Sequence, residues 1–269
     1  MDCAATAFEF GRRTFRVKRM DLNCDVGEVP EALADGSQEA ILRQVTSANI
    51  ACGGHAGDEH MMRVTIEQAQ RCGAAIGAHP GYEDRANFGR IALKLSSEEV
   101  AATVYGQILA LAEVADHCGA RIGHVKPHGA LYNQAARDRR IARAIAEGVA
   151  RWRRGVTLVG LAGSVMLEEF RAAGFAVAAE GFADRKYEAN GSLRARKFRD
   201  ALLRHPAEAA AQAVRIAREG SVVAANGAVI SLKVETICIH GDTPGAPQIA
   251  ASVRRALEEA GITVQALDG

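Results

Sequence analysis

From Val17 onward, short apolar runs alternate with longer segments whose apolar residues recur at helical spacing. The short runs predict strands at Val17–Asn23, Ala48–Cys52, Ala74–Ala78, Arg121–Val125, Val156–Leu161, Phe175–Ala179 and Thr236–Ile239, with a last edge run at Ile262–Ala266. Between them the helical period predicts helices at Asp58–Cys72, Ser96–Cys118, Asp138–Arg153, Ser164–Ala173, Pro206–Glu219 and Pro247–Ala260. The second of these carries every expected signal. Ser96 or Ser97 can cap it, Glu98 and Glu99 suit its positive end, Val100, Val104, Ile108 and Leu111 line one face, and Gly119 stops it. Gly73, Gly155, Gly174 and Gly261 read as the same kind of stop.

Strand alternating with helix about seven times calls for a parallel sheet, because each parallel crossover needs a helix-sized return. An open doubly wound sheet and a closed β/α barrel both satisfy this. The barrel is favoured, since the segments after the strands are rich in His, Asp, Glu, Lys and Gly while those before them are plain. No linker-like tract divides the chain, so a single barrel domain is expected over residues 20–269. Met1–Arg19 is set outside the fold, as an extension without fixed structure or the result of an alternative start at Met20. One insertion-like loop, Asp184–His205, carries seven Arg and Lys residues and reads as a mobile, substrate-facing lid.

Composition changes this picture little. Hydrophobic residues make up 48% and charged residues 24%, ordinary for a folded soluble chain, which excludes disorder and a disulfide-stapled miniprotein. A net charge of +1 gives no case for a nucleic-acid or anionic-membrane partner. The longest uncharged stretches, such as Ser221–Leu232, are too short to span a bilayer, and no secretory signal opens the chain. A cytoplasmic protein is expected, its six cysteines free thiols. Assembly with further copies of itself is left open.

The chemistry sits at the strand ends. In Asp21-Leu22-Asn23-Cys24-Asp25-Val26-Gly27-Glu28 the period of two puts Asp21, Asn23 and Asp25 on one face. Two carboxylates facing a barrel lumen must bind a metal, share a proton or meet a cation, and the competing reading is a solvated turn. In Ser47–Asp58 the candidate is His55, after Gly53 and Gly54. Asp58 is as well placed to cap the next helix, and His60 reads as surface. His79 precedes Pro80, which holds it extended, and Arg90 ends the nearby Asn87-Phe88-Gly89-Arg90. Lys126 and His128 share a face in the fourth motif, where His124 reads as a hydrogen-bonded core histidine. Glu180, Asp184 and Arg185 follow the sixth strand, and His240 and Asp242 alternate with Cys238 at the seventh. The fifth strand end, Gly160–Ser164, is small and uncharged and suits a helix N-terminus that receives an anionic group.

Taken together, DLNCDVGE, SANIACGGHAGD, GAHPGY, NFGR, KPHGALYN, EGFADRKY and ICIHGDTP resemble the LamB/YcsF family from about Met20 to the C-terminus. The resemblance implies a seven-stranded barrel of the glycoside hydrolase/deacetylase type. It also implies ring opening of 5-oxo-L-proline to L-glutamate with ATP hydrolysis, shared with separate B and C subunits. Two departures stand out: Val29–Gln38 is short and polar where many members have a longer, aromatic, Gly-rich segment, and Gly54 stands where many have Phe.

Opening a lactam needs a base for water, a group for the developing oxyanion and a clamp for the substrate. Asp25 or Asp21 can serve as base, Lys126 and His128 as oxyanion or phosphate partners, and Arg185 as carboxylate clamp. With His55 these form the expected catalytic set; Asn23, Glu28, His79, Arg90, Glu180, Asp184, Arg185, His240 and Asp242 form the substrate-binding set. No GxxxxGK[ST] cradle is present, so ATP is bound unconventionally or spent by a partner protein. Asp25, His55, His79, His128 and His240 offer ligands to a divalent metal, and a metal-free acid–base cluster uses the same residues. The alternative readings are a metal-dependent carbohydrate or amide deacetylase and a binding subunit without catalysis.

Overall fold

The computed structural model describes residues 18–243 and 245–267. In chain order its first elements are β1 (Arg19–Val26), α1 (Pro30–Ala34), α2 (Ser37–Leu42), β2 (Ser47–Ala51), α3 (Glu59–Cys72), β3 (Ala75–His79), α4 (Ser97–His117), β4 (Ile122–Val125), α5 (Gly129–Ala135) and α6 (Arg139–Trp152). Then come β5 (Thr157–Leu161), α7 (Val165–Ala172), β6 (Ala176–Phe182), α8 (Pro206–Glu219), β7 (Ser221–Val223), β8 (Val229–Ser231), β9 (Thr236–His240), α9 (Ala246–Glu259) and β10 (Thr263–Val264).

Strands β1 to β6 pair in sequence, all parallel, and β9 pairs with both β6 and β1, so seven strands close into a barrel. The two-residue β10 adds to the start of β1 through Arg19 and Met20, which brings Arg19 into the fold. The rest of the proposed N-terminal extension, apart from Lys18, lies outside the described residues. Alternation along β1 sends Leu22, Cys24 and Val26 toward the helices and Asp21, Asn23 and Asp25 into the lumen. The lumen is polar at mid-height. There His124 Nε2 donates across to Asn49 Oδ1 at 2.9 Å, and Gly77 is bare because a Cβ would lie 2.1 Å from the His124 ring. His124 is therefore the core histidine expected.

The helices begin and end where side chains dictate. Asp58 accepts from the Met61 amide at the start of α3, and Ser96 and Glu99 form a reciprocal cap on α4. Gly73, Gly119, Gly174 and Gly261 adopt positive φ as expected of helix stops, whereas Gly155 does not, α6 having ended in an extended Arg153. Three features escape the periodicity. The polar segment after β1 folds into the short α1 and α2, the fourth motif continues into α5, and the uncharged stretch after α8 is the antiparallel hairpin β7–β8. Among the described residues no helix is long and apolar enough to cross a membrane. Cys24, Cys52, Cys72, Cys118 and Cys238 are free, and Cys3 lies outside the described residues.

Candidate active site

The C-terminal ends of the barrel strands open into a cavity of about 740 Å³. Asp25, Glu28, His79, Arg90, Lys126, His128, Arg185, His240 and Asp242 all line it, contributed by loops and strand ends from across the chain. Active sites of closed parallel barrels lie at this end. Asp21, Asn23, His55, Glu180 and Asp184, also expected at the site, are placed behind the wall.

Asp21 corrects one expectation. It sits at the lower end of β1, its carboxylate accepting from the hydroxyls of Thr46, Ser47 and Thr236, and burial pushes its carboxyl above the usual range. A carboxylate saturated by hydroxyls and away from the cavity cannot serve as base. Period two identifies the face of a strand but not the depth along it.

Lys126 corrects another. Its ammonium contacts Asp25 Oδ1 at 2.9 Å, Glu180 Oε1 at 2.8 Å, Asn23 Oδ1 at 3.1 Å and Cys238 Sγ at 3.0 Å. Burial opposes its charge, but Asp25, Cys238 and Glu180 hold it well above its ordinary range. Three protons with that many acceptors leave none for an oxyanion, so Lys126 is a structural cation of the site floor. Glu180 is held in turn by the Tyr132 hydroxyl at 2.7 Å and by Asn23 at 3.0 Å. Burial alone would raise the Asp25 carboxyl, but His79 first and then Lys126 hold it well below the usual carboxylate range. Burial keeps the Cys238 thiol protonated against the pull of Lys126.

Beside this floor lies a histidine cluster centred on Glu28. Gly27, at φ 71°, turns the chain out of β1, and its amide donates to Gln38 at 2.8 Å, which returns Glu28 to the mouth. Glu28 Oε1 lies 2.9 Å from His55 Nε2, 3.2 Å from His128 Nδ1 and 3.7 Å from His79 Nε2. His55 and His128 stack face to face with centroids 3.6 Å apart. Burial pushes His55 down to about 4, so it is neutral and donates to Glu28 from Nε2. Glu28, His55, His79 and His128 offer donor atoms within 4.8 Å of one another and could hold a metal ion. Asp25 and His240, expected in that set, instead form a second group with Cys238.

His240 has a partner of its own. Its Nδ1 lies 2.9 Å from Asp184 Oδ1, and its main-chain N–H donates to Asp184 Oδ2 at 3.0 Å. Burial would raise the Asp184 carboxyl, but His240 holds it below its ordinary value, so it stays ionised. Phe182 stacks on the ring at 5.4 Å. An ionised carboxylate on Nδ1 directs the ring proton there and leaves Nε2 as a lone pair; among the described residues Nε2 has no protein partner. A carboxylate-oriented histidine on a cavity wall can take a proton from water.

Opposite stands Arg185, 6% exposed, with one terminal nitrogen donating to the Arg194 carbonyl at 2.7 Å and Nε buried without a partner. Burial and the nearby Arg196 bring its pKa down to about 10, so it remains a cation, and among the described residues no carboxylate forms an ion pair with it. Arg90 and Arg196, by contrast, pair with Asp242. The loop 184–205 faces the cavity through Asn190–Leu193, Ala195 and Arg196, and buried Tyr187 anchors it by accepting from the Phe182 amide at 2.7 Å. Tyr132, Phe182, Cys238 and Arg196 were missed as site residues, although all but Phe182 stand in alternation or charge patterns that could have flagged them.

The LamB/YcsF family model matches residues 20–269. The A subunit of 5-oxoprolinase from Chloroflexus aggregans is 50% identical over 246 residues, covering 91% of this chain and 98% of that protein. Its counterpart of the same name from Bordetella pertussis is 47% identical over 247 residues, covering 92% and 98%. The crystal structure of a lactam utilization protein from Thermus thermophilus superposes with a TM-score of 0.85 at 44% identity, covering 93% of this chain and all 100% of that one. A family 4 carbohydrate esterase from Streptomyces lividans shares the fold alone, at 10% identity and a TM-score of 0.51 over 93% of each chain. With the family model matching residues 20–269 and a relative 50% identical over 98% of its own length, the chain belongs to the LamB/YcsF family.

Proposed function

We propose that this chain is the A subunit of a cytoplasmic 5-oxoprolinase, opening the cyclic amide of 5-oxo-L-proline to L-glutamate with ATP hydrolysis in a complex with B and C subunits. The observation that carries the reading is the pairing, across one cavity, of a carboxylate-oriented histidine (Asp184–His240) with the buried, unpaired cation Arg185. The relatives named as A subunits of 5-oxoprolinase supply the substrate.

In this reading Arg185 receives the substrate carboxylate through a charge-assisted contact. His240 Nε2 takes a proton from the attacking water, and the same ring gives that proton to the lactam nitrogen as the C–N bond breaks. Asp184 holds the tautomer that makes this direction of transfer available. Asp25 lines the cavity with Oδ1 fixed by Lys126 at 2.9 Å and Oδ2 held 3.3 Å from His79 Nε2, and in this reading it orients water there. One water is added across the amide; a second is consumed with ATP, which yields ADP and phosphate. In this reading the partner subunits spend the ATP and activate the lactam; unconventional binding of ATP by this chain, which has no GxxxxGK[ST] cradle, is the alternative. Glu28, His79 and His128, whose donor atoms converge with His55 behind them, would hold a divalent ion, and such an ion would supply Lewis-acid polarisation of the lactam oxygen.

Glutamate formation from 5-oxoproline and ATP tests this. The chain with its B and C partners is expected to produce glutamate, and the chain alone is not. A complete complex that forms no glutamate refutes the reading.

A further inference from the structure

Two histidines beside Glu28 are locked in a way that the proton transfers of the substrate reading leave unused. His79 Nδ1 lies 2.7 Å from the Lys126 main-chain oxygen, and His128 Nε2 lies 2.9 Å from that of Phe88. A carbonyl oxygen only accepts, so both nitrogens must carry protons. Beside Asp25 Oδ2, which lies 3.3 Å from His79 Nε2, the other two nitrogens, His79 Nε2 and His128 Nδ1, are then left to face inward. They face one another at 3.0 Å, with Glu28 Oε1 at 3.2 Å from one and 3.7 Å from the other. Three such atoms converging on one point, with the Asp25 carboxylate beside them, need a positive charge among them; a proton on His79 Nε2 supplies it in the metal-free chain, and a divalent ion takes its place on binding.

Their spacing fits a metal. Two donors bound 2.0–2.1 Å from one ion at the tetrahedral angle stand about 3.3 Å apart, and the three observed separations straddle that value. Ring nitrogens fixed by main-chain carbonyls are also how ligating histidines are usually oriented. Phe88, whose carbonyl fixes His128, has φ 55° and is the one non-glycine residue with positive φ among the described residues. That conformation costs about 1–2 kcal/mol, a strain kept where the carbonyl must point at His128.

We infer that Glu28, His79 and His128 bind one divalent transition-metal ion of the Zn²⁺ type, with a fourth position open to the cavity that all three line. His55 is a positioning residue: its Nε2 is committed to Glu28 at 2.9 Å, and it does not line the cavity. The donor set of two imidazoles and one carboxylate suits zinc and related ions over Mg²⁺ or Ca²⁺, which take all-oxygen sites. The inference goes beyond the proposed reaction and holds whatever the substrate is.

The test is calorimetric titration of the full chain, stripped with a chelator, with Zn²⁺ and separately with Mg²⁺, in the absence of substrate. One Zn²⁺ per chain is expected. His79→Ala and His128→Ala should each weaken binding by on the order of 10²-fold or more, and His55→Gln by about 10–100-fold, while His60→Ala on the exposed start of α3 leaves it unchanged. Anomalous diffraction from a Zn²⁺-soaked crystal of the unaltered chain gives a readout that does not depend on variants folding, with the peak expected between Glu28, His79 and His128. Absence of stoichiometric binding, or a peak elsewhere, overturns the inference. Zn²⁺ uptake by a chain whose complete complex forms no glutamate upholds it and sinks the ring-opening reading; glutamate formed by a chain that takes up no Zn²⁺ does the reverse.

Discussion

Asp184→Asn is the most informative single change. Asp184 accepts the His240 ring proton at 2.9 Å and the His240 main-chain N–H at 3.0 Å, and it is fully buried. Asparagine is nearly isosteric, and its oxygen can still accept from the main chain. Its amide then faces Nδ1 with hydrogens, so Nδ1 must become the acceptor and the ring proton moves to Nε2. A protonated Nε2 cannot take a proton from water. Loss of a general base lowers kcat by about 10²–10⁴-fold, or about 3–5 kcal/mol of barrier, with little change in KM. Folding loses one hydrogen bond to a charged group, about 1.5–3 kcal/mol. The depressed pKa of Asp184 sets how that loss depends on pH. Its folded value lies below the unfolded one, so its stabilisation is complete above about pH 4 and is lost as pH falls through the folded value. The stability gap between the wild-type chain and Asp184→Asn should therefore narrow below about pH 4. Steady-state glutamate formation by the reconstituted complex and urea unfolding across pH measure both effects. A kcat within threefold of wild type refutes the base assignment, and a gap that widens in acid refutes the linkage.

Three further outcomes follow from the same geometry. Lys126→Met leaves Asp25 and Glu180 as uncompensated buried charges and should cost about 3–5 kcal/mol in urea unfolding; a loss under 1 kcal/mol would mean the pair is not a structural cation site. Arg185→Met should raise KM for 5-oxoproline on the order of 10²-fold, with kcat changed only a few-fold, and an unchanged KM would remove Arg185 as the carboxylate clamp. Gly54→Ala places a Cβ within 2.5–2.6 Å of the Gln107 amide, which clamps the Gly81 backbone by bonds of 3.0 and 2.7 Å. Displacing that amide should cost about 1–3 kcal/mol, read from denaturant midpoints, and a neutral effect would show that Gln107 moves aside freely.

The closed barrel was legible because its signal is repeated: a two-residue period in each strand, a helical period between them, and chemistry confined to one set of strand ends. The strand-end residues Asp25, His79, Lys126, His128 and His240 were legible for the same reason. What stayed hidden is whatever depends on depth or on pairing across the chain. Asp21 and Asp25 share a face, yet only the second reaches the cavity. Lys126 looks like a free cation until the neighbours brought by β1, β6 and β9 saturate it. Asp184 and His240 were each visible, but the contact joining them spans 56 residues of sequence. Glu28 lies beyond the end of β1, where strand alternation no longer applies, and only the turn at Gly27 brings it among the histidines. Gly54 stood out in the sequence only as a departure from the Phe of many family members; the Gln107 side chain occupies the space beside it.

The near-zero net charge conceals an interior divided into two complementary deficits. Asp21, Asp25, Glu28, Glu180 and Asp184 are all buried around the lumen and its mouth, and Lys126 is the single buried lysine among them. Lys126 answers Asp25 and Glu180, three hydroxyls answer Asp21, and His240 answers Asp184. That leaves Glu28, whose donor His55 is a neutral ring, without a matching fixed cation. On the other wall Arg185 is short of an anion. Buried charge without a partner costs too much to persist for packing alone, so each deficit marks a ligand of opposite sign. In the readings proposed above, a divalent ion at Glu28 and a substrate carboxylate at Arg185 would satisfy both. The two deficits therefore predict an order in affinity: Zn²⁺ loading should tighten binding of 5-oxoproline, and Glu28→Gln should abolish that coupling while Arg185→Met weakens binding with or without the ion.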